Sequence, residues 1–160
     1  YLAKIGQSSN HLLSLINDVL DMSRIESGKM NLNEKKESLS VIIHTLCDIV
    51  NADILSKQLN FSVEIADVTD ENVICDKLRL NQVFLNVVSN AIKYTPEGGS
   101  ISFFVRDLAV TQTGYGCYEF RVKDNGMGMG EDFLKNIYDP FARVNSSTIS
   151  AIGLSKIRFV

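Results

Sequence analysis

What this 160-residue chain lacks narrows its function before anything it contains does. It carries no concentrated basic run and a formal charge of -3, so nucleic acid is not expected as its main partner. Its three cysteines (Cys47, Cys75 and Cys117) are odd in number and widely scattered. They form neither a disulfide framework nor a metal cluster, and they read as buried free thiols in a reducing cytosol. No uninterrupted apolar run reaches the roughly 18 residues that span a bilayer, and no signal peptide is visible. Internal repeats and low-complexity tracts are missing too. So is an initiator methionine: the chain starts mid-pattern at Tyr1-Leu2-Ala3-Lys4, and the expectation is a piece of something longer.

What is present suits one compact domain plus an appendage, with 45% hydrophobic residues to build a core. Residues 1–28 read as a single helix. Leu2, Ile5, Ser9, Leu12, Ile16, Val19 and Ser23 recur at alternating spacings of three and four, the seam of a coiled coil or bundle. Leu13, Leu15, Leu20 and Met22 widen the apolar face, and Gly28 is a suitable stop. Such a helix packs on sequence outside this chain, on a second copy, or back onto the domain that follows. Residues 29–36 hold a short alternating stretch suited to an edge strand. Ser38 or Ser40 then caps a helix to about residue 57, with Leu39, Ile43, Leu46, Val50 and Ile54 inward. Strands are expected at 60–66, 73–75, 100–106 and 117–123, the last two joined by a loop containing Gly114 and Gly116. Asp76 caps a helix over 77–94 that stops at the Thr95-Pro96-Glu97-Gly98-Gly99 turn, and a short helix is expected over 131–137. Helices alternating with hairpin-like strands imply an α+β fold, a two-layer α/β sandwich with helices over a mixed sheet.

Two separated segments carry the chemistry: LNQVFLNVVSNAIKYTPEGG at 80–99 and VKDNGMGM at 122–129. Asn86 and Asn90 lie four apart on the expected helix and Lys93 three further on, so all three share one face. Amide oxygens are hard, neutral ligands suited to Mg²⁺, and a neighbouring ammonium can neutralise phosphate. The plain alternative is a set of solvent-exposed helix polars. Against it stand Val83, Phe84, Leu85, Val87, Val88, Ala91 and Ile92, whose apolar density implies a buried helix in which asparagine needs a partner. Asp124 heads Asn-Gly-Met-Gly-Met-Gly at the end of a strand. A carboxylate there can accept from an exocyclic amine and so tell adenine from guanine. Gly126, Gly128 and Gly130 let main-chain N–H groups approach a ligand. Taken alone, Asn-Gly is also an ordinary hairpin turn.

In this order the segments resemble a known family, the sensor histidine kinases of bacterial two-component systems. LINDVLDMSRIESGKM at 15–30 is similar to the second helix of the family's dimerisation domain and its exit. Residues 76–99 resemble its asparagine box, residues 122–129 its first glycine box, and IYDPFARVN at 137–145 its phenylalanine box ahead of a mobile ATP lid. The resemblance implies the ATP-binding (Bergerat) fold shared with type II topoisomerases and heat-shock chaperone ATPases. It divides the chain into residues 1–28, part of the dimerisation domain, and residues 29–160, the catalytic domain. It implies ATP and Mg²⁺ as cofactors, with Asn90 and Asn86 at the metal, Lys93 and Arg143 on phosphate, and Tyr94 beside the nucleotide. Asp124 would bind the adenine amine, Gly126 and Gly128 would shape the purine wall, and Phe141 would sit at the base of the lid.

The implied reaction moves the γ-phosphate to a histidine of the dimerisation domain and onward to a response-regulator aspartate. The implied partners are a second copy through the N-terminal helix and a receiver domain. The implied place is the cytoplasmic part of a membrane-anchored sensor, with no direct membrane contact by this chain. The family's hydrolytic cousins carry glutamate where Asn86 stands, and an amide is no base, so the pocket suits transfer over hydrolysis.

The chain also departs from the family. The phosphoacceptor histidine would lie ahead of residue 1, and neither His11 nor His44 is assigned a catalytic role. Ile152-Gly153-Leu154 is read as a remnant of a second glycine box. About 40 residues of family sequence are expected to be missing near the C-terminus, judged against ordinary domain size, leaving the sheet short of strands. Two other readings stay open: a degenerate scaffold of the same fold that works by dimerising, and a hydrolytic ATPase or serine-directed kinase.

Overall fold

The structure, a computed structural model, describes residues 2–68, 70–108, 115–129 and 154–159. It falls into two compact units, Tyr1–Asn33 and Glu34–Val160.

The first unit is the helix α1 (Leu2–Glu26) and its exit. Gly28 adopts φ +65°, and the amides of Gly28 and Lys29 reach back to the carbonyls of Ile25 and Arg24, both at 3.0 Å. Paired back-bonds through a left-handed glycine end a helix without leaving its last carbonyls bare. Leu12 (59% exposed), Ile16 (47%) and Val19 (51%) of the apolar seam are open to solvent in the single chain.

In the second unit a short strand β1 (Lys35–Ser38) leads into α2 (Leu39–Ser56), followed by β2 (Asn60–Ala66), β3 (Asn72–Cys75), α3 (Lys77–Tyr94), β4 (Ser100–Leu108), β5 (Cys117–Asp124) and β6 (Leu154–Phe159). β1 pairs antiparallel with β3 in a two-stranded sheet. The main sheet has the order β2-β4-β5-β6, with β2 parallel to β4 and the other pairs antiparallel, so it is mixed as expected. One expectation needs correction. The strand anticipated over 29–36 forms at Lys35–Ser38, because its partner is the distant β3 and that pairing sets its position. Leu154–Phe159 adds a strand that was not anticipated, with Leu154 opposite Lys123 and Phe159 opposite Tyr118.

The core lies between α2, α3 and one face of the sheet. α2 contributes Leu39, Ile42, Ile43, Leu46, Val50 and Ile54, and α3 contributes Leu80, Phe84, Val88, Ala91 and Ile92. Ile101, Phe103 and Val105 meet them from β4, and Tyr118, Phe120 and Val122 from β5, every second residue as a pleated strand requires. Phe84 sits edge-on to Phe103 with centroids 5.4 Å apart, and 4.7 Å from Phe120. Burying such side chains stabilises the fold by about 1.5–3 kcal/mol each. By length and composition α2 would suffice to cross a membrane, at 18 residues and mean hydropathy 1.5. Its buried stripe against α3 and the sheet marks it as a core helix.

This topology decides where the chemistry-bearing segments meet. α3 crosses over from β3 and turns through residues 95–99 into β4, so its C-terminal end lies at the start of β4. β5 runs antiparallel to β4 and finishes there, with Asp124 opposite Ile101.

Candidate functional site

α3 begins at Asp76, whose Oδ1 accepts from the Arg79 amide at 3.1 Å, the side-chain cap that sets the helix in phase. With Leu80, Phe84, Val88 and Ala91 committed to the core, the opposite face carries Asn86, Asn90 and Lys93, all three exposed. The expectation that apolar density buries the asparagines is therefore corrected. The helix lies on the sheet with one face covered, and Val83, Leu85 and Val87 stay partly accessible along its flanks. Both amides stand open to solvent, where a ligand can reach them. Tyr94, 39% exposed, lies beneath the Lys93 ammonium, with Nζ 4.9 Å from the ring centroid.

Asp124 is half-buried at the end of β5, and its Oδ1 accepts from the Gly126 amide at 2.9 Å. Among the described residues its second oxygen has no protein donor, which leaves it for a ligand. The next residue clamps the loop to the start of β4. Asn125 Oδ1 accepts from the Ser100 amide at 2.8 Å, and the Asn125 amide donates to the Ser100 carbonyl at 3.2 Å.

The two segments touch at Tyr94, whose carbonyl accepts from the Met127 amide at 3.3 Å. A Cβ on Gly126 would come within 2.5 Å of that same carbonyl oxygen, so only glycine allows the loop to close on the helix end. Gly128, at φ +69°, turns the chain in the left-handed region. A third approach seals the arrangement: a Cβ at Gly99 would meet Thr95 Cγ2 at 2.4 Å and Asn125 Oδ1 at 2.9 Å.

The structure thus joins Tyr94, Asp124, Gly126 and Gly128 at one end of the sheet, and it places Asn90 one turn and Asn86 two turns earlier along the same helix. A cleft of about 280 Å³ opens on the α2 side of this helix, lined by Asp53, Ser56, Lys57, Ser89, Ile92 and Lys93. Of the anticipated ligand residues that are described, only Lys93 borders it. Phe141, Arg143 and Gly153, like the helix anticipated over 131–137, lie outside the described residues. His44 is exposed on α2. No trio of His, Cys, Asp or Glu suited to a metal occurs among the described residues.

One residue escaped the sequence reading. Lys57, the C-cap of α2, donates through Nζ to the carbonyls of Ile92 (2.7 Å), Lys93 (3.1 Å) and Thr95 (2.9 Å). Lys57 lies 35 positions from the first of these, and no local pattern announces such a contact.

A helix end closed by a glycine loop, with a strand-end carboxylate beside it, defines a class, and comparison with known proteins agrees. The chain belongs to the histidine kinase-, DNA gyrase B- and HSP90-like ATPase family, whose model matches residues 75–158. It is 32% identical over 147 residues to the autoinducer 2 sensor kinase/phosphatase LuxQ of Vibrio vulnificus, an alignment covering 91% of this chain and 17% of that one. It is 33% identical over 147 residues to the signal transduction histidine-protein kinase BarA of Escherichia coli, covering 92% and 16%. The chain therefore spans about a sixth of the length of these relatives. Among solved structures, full-length ShkA in complex with AMPPNP superposes with a TM-score of 0.70 at 26% identity, over 86% of this chain and 28% of that one. The histidine kinase AdeS of Acinetobacter baumannii shares the fold, with a TM-score of 0.65 at 20% identity over 82% and 60%.

Proposed function

We propose that this chain is the ATP-binding catalytic region of a sensor histidine kinase. It moves the γ-phosphate of ATP to a histidine on the dimerisation domain of its own dimer, for onward transfer to a response-regulator aspartate. The observation that carries the reading is the contact between the Met127 amide and the Tyr94 carbonyl, which brings the glycine loop to the end of the asparagine helix.

The donor set suits magnesium held mainly by phosphates and water, with neutral amides from Asn90 and Asn86 completing it. Bound Mg²⁺ supplies charge neutralisation at the transferred phosphoryl group. The chain's own residues do the rest. Lys93 offers a mobile cation to phosphate, and Tyr94 gives the nucleotide a flanking ring. The other oxygen of Asp124 accepts from the adenine amine while Gly126 holds its twin in place. Gly126 and Gly128 keep side chains out of the purine wall. Asn86 has no basic lone pair, so water is not activated, and the phosphoryl group is kept for a better nucleophile.

Residues 1–28 serve as the second helix of the dimerisation domain and residues 29–160 as the catalytic domain. The exposed seam on α1 is the surface through which two copies pair, and a receiver domain is the onward partner. The cytoplasmic part of a membrane-anchored sensor is the setting this reading implies. Among the solved neighbours is the kinase ThkA in complex with its response regulator TrrA, at 25% identity and a TM-score of 0.62.

Calorimetric titration of ATP, with and without Mg²⁺, tests the assignment. Native chain is expected to bind ATP more tightly with Mg²⁺ present. Asn90→Ala removes that Mg²⁺-dependent gain, and Asp124→Ala erases the preference for ATP over GTP. Absence of binding by the native chain would leave only a scaffold.

A further inference from the structure

We infer that Lys57 is a positioning residue for the nucleotide site, fixing the end of α3 against which the glycine loop closes. The inference rests on the nucleotide reading given above. Among the last carbonyls of α3, that of Ala91 accepts from the Thr95 amide at 3.0 Å. The carbonyl of Ile92 would ordinarily take the amide four residues on, but that residue is Pro96, which has none. Lys57 Nζ supplies the missing donor at 2.7 Å, and it serves Lys93 at 3.1 Å and Thr95 at 2.9 Å besides. The carbonyl left over, Tyr94, takes the Met127 amide of the glycine loop.

Lys57 grips the same turn with its main chain as well, its carbonyl accepting from the Gly98 amide at 3.1 Å. The chain reverses after α2 through Gln58 in the left-handed region at φ +52°, and this reversal brings the side chain to α3. A cation at a helix C-terminus is also favoured by the helix dipole. The consequence reaches the site directly. Lys93 and Tyr94 are two of the proposed ligand contacts, and the Tyr94 carbonyl lies 2.5 Å from where a Gly126 Cβ would sit. The register of Asp124 against the helix thus depends on where residues 92–95 are held. With Lys57 absent, three carbonyls lose their donor, and the helix end relaxes away from the loop.

The test compares native chain with Lys57→Met, Lys57→Arg and Val50→Ala, the last a core truncation in α2 at a side chain that makes none of the hydrogen bonds to the helix end. Each is titrated with trinitrophenyl-ATP and Mg²⁺ at a temperature where it is fully folded. Lys57→Met is expected to raise Kd about tenfold or more, as loosened geometry does. Lys57→Arg, which keeps a cation with several donors, should recover most of the loss. Val50→Ala should lower the thermal midpoint and leave Kd unchanged. If Lys57→Met does not fold, Lys57→Gln is judged by the same criterion. Equal Kd for native and Lys57→Met, or equal weakening by Val50→Ala, would overturn the positioning role while leaving the nucleotide reading intact. Failure of the native chain to bind would instead overturn that reading and the inference resting on it.

Discussion

At the scale of single residues, Gly126 is the most constrained position in the site. Its missing Cβ is what lets the loop reach the Tyr94 carbonyl, so Gly126→Ala must push the loop off the helix end or strain both. A cost of about 1–3 kcal/mol in denaturant unfolding is expected, typical of overpacking, together with weakened ATP binding. Unchanged stability and binding would contradict the close approach. Asn86 makes a different claim, about mechanism. Asn86→Glu is expected to raise phosphate release without an acceptor, because a carboxylate can take a proton from water and an amide cannot. A phosphate-release assay showing no change would remove that role.

Titration also acts residue by residue. Burial pushes the Cys47 thiol above its ordinary value of 9.0, aided by Asp48. Burial does the same at Cys75, aided by Glu37, Asp76 and Glu34. Tyr118 is raised in the same way from 10.0, first by burial and then by Asp107 and Asp70. Each of these acids holds its proton more tightly when folded. The stability this lends is complete below the unfolded pKa and disappears as pH climbs through the folded one. Urea midpoints are therefore expected to fall above about pH 9, and to fall less in a Cys47→Ser/Cys75→Ser variant. A midpoint that rises with alkalinity would contradict these assignments.

Elements differ in how plainly the sequence announced them, and the difference is physical. α3 was legible to the residue because an Asp76 cap opens it and a Pro-Glu-Gly-Gly breaker closes it. β2 was equally legible, its Phe61, Val63 and Ile65 alternation being local. β1 and β6 are held by partners far along the chain, and neither was plain in the sequence: Lys35–Ser38 is polar, and Leu154–Phe159 pairs with β5 some thirty residues earlier. The amide face of α3 was read correctly as one face and wrongly as buried, because composition does not say how many sides of a helix are covered. For α1 the expectation concerns association. With Leu12, Ile16 and Val19 open to solvent, Ile16→Asp should shift the chain from dimer to monomer in light scattering, without loss of helicity in the catalytic unit. An identical mass for both would argue against the seam.

For the molecule as a whole, the sheet order does the work that no single motif could. A parallel crossover through α3 and an antiparallel return through β5 bring segments some thirty residues apart to one end of the sheet. That meeting was implied by family resemblance, but the hydrogen bonds that enforce it, from Met127 to Tyr94 and from Lys57 to three carbonyls, were invisible in the sequence because each is long-range. The buried Glu119 illustrates the same limit on the other face of the sheet. At 1% exposure it pairs with Arg106 at 2.6 Å and Arg121 at 3.1 Å, and nothing local predicted it.

The most direct test asks whether the paired asparagines and the acidic loop see one ligand. Backbone amide spectra of the isotope-labelled chain, recorded during titration with a non-hydrolysable ATP analogue and Mg²⁺, should show shifts at both 86–94 and 124–128, saturating with a single Kd. Shifts confined to one segment, or two segments titrating with different affinities, would mean that the sites are separate and the account wrong.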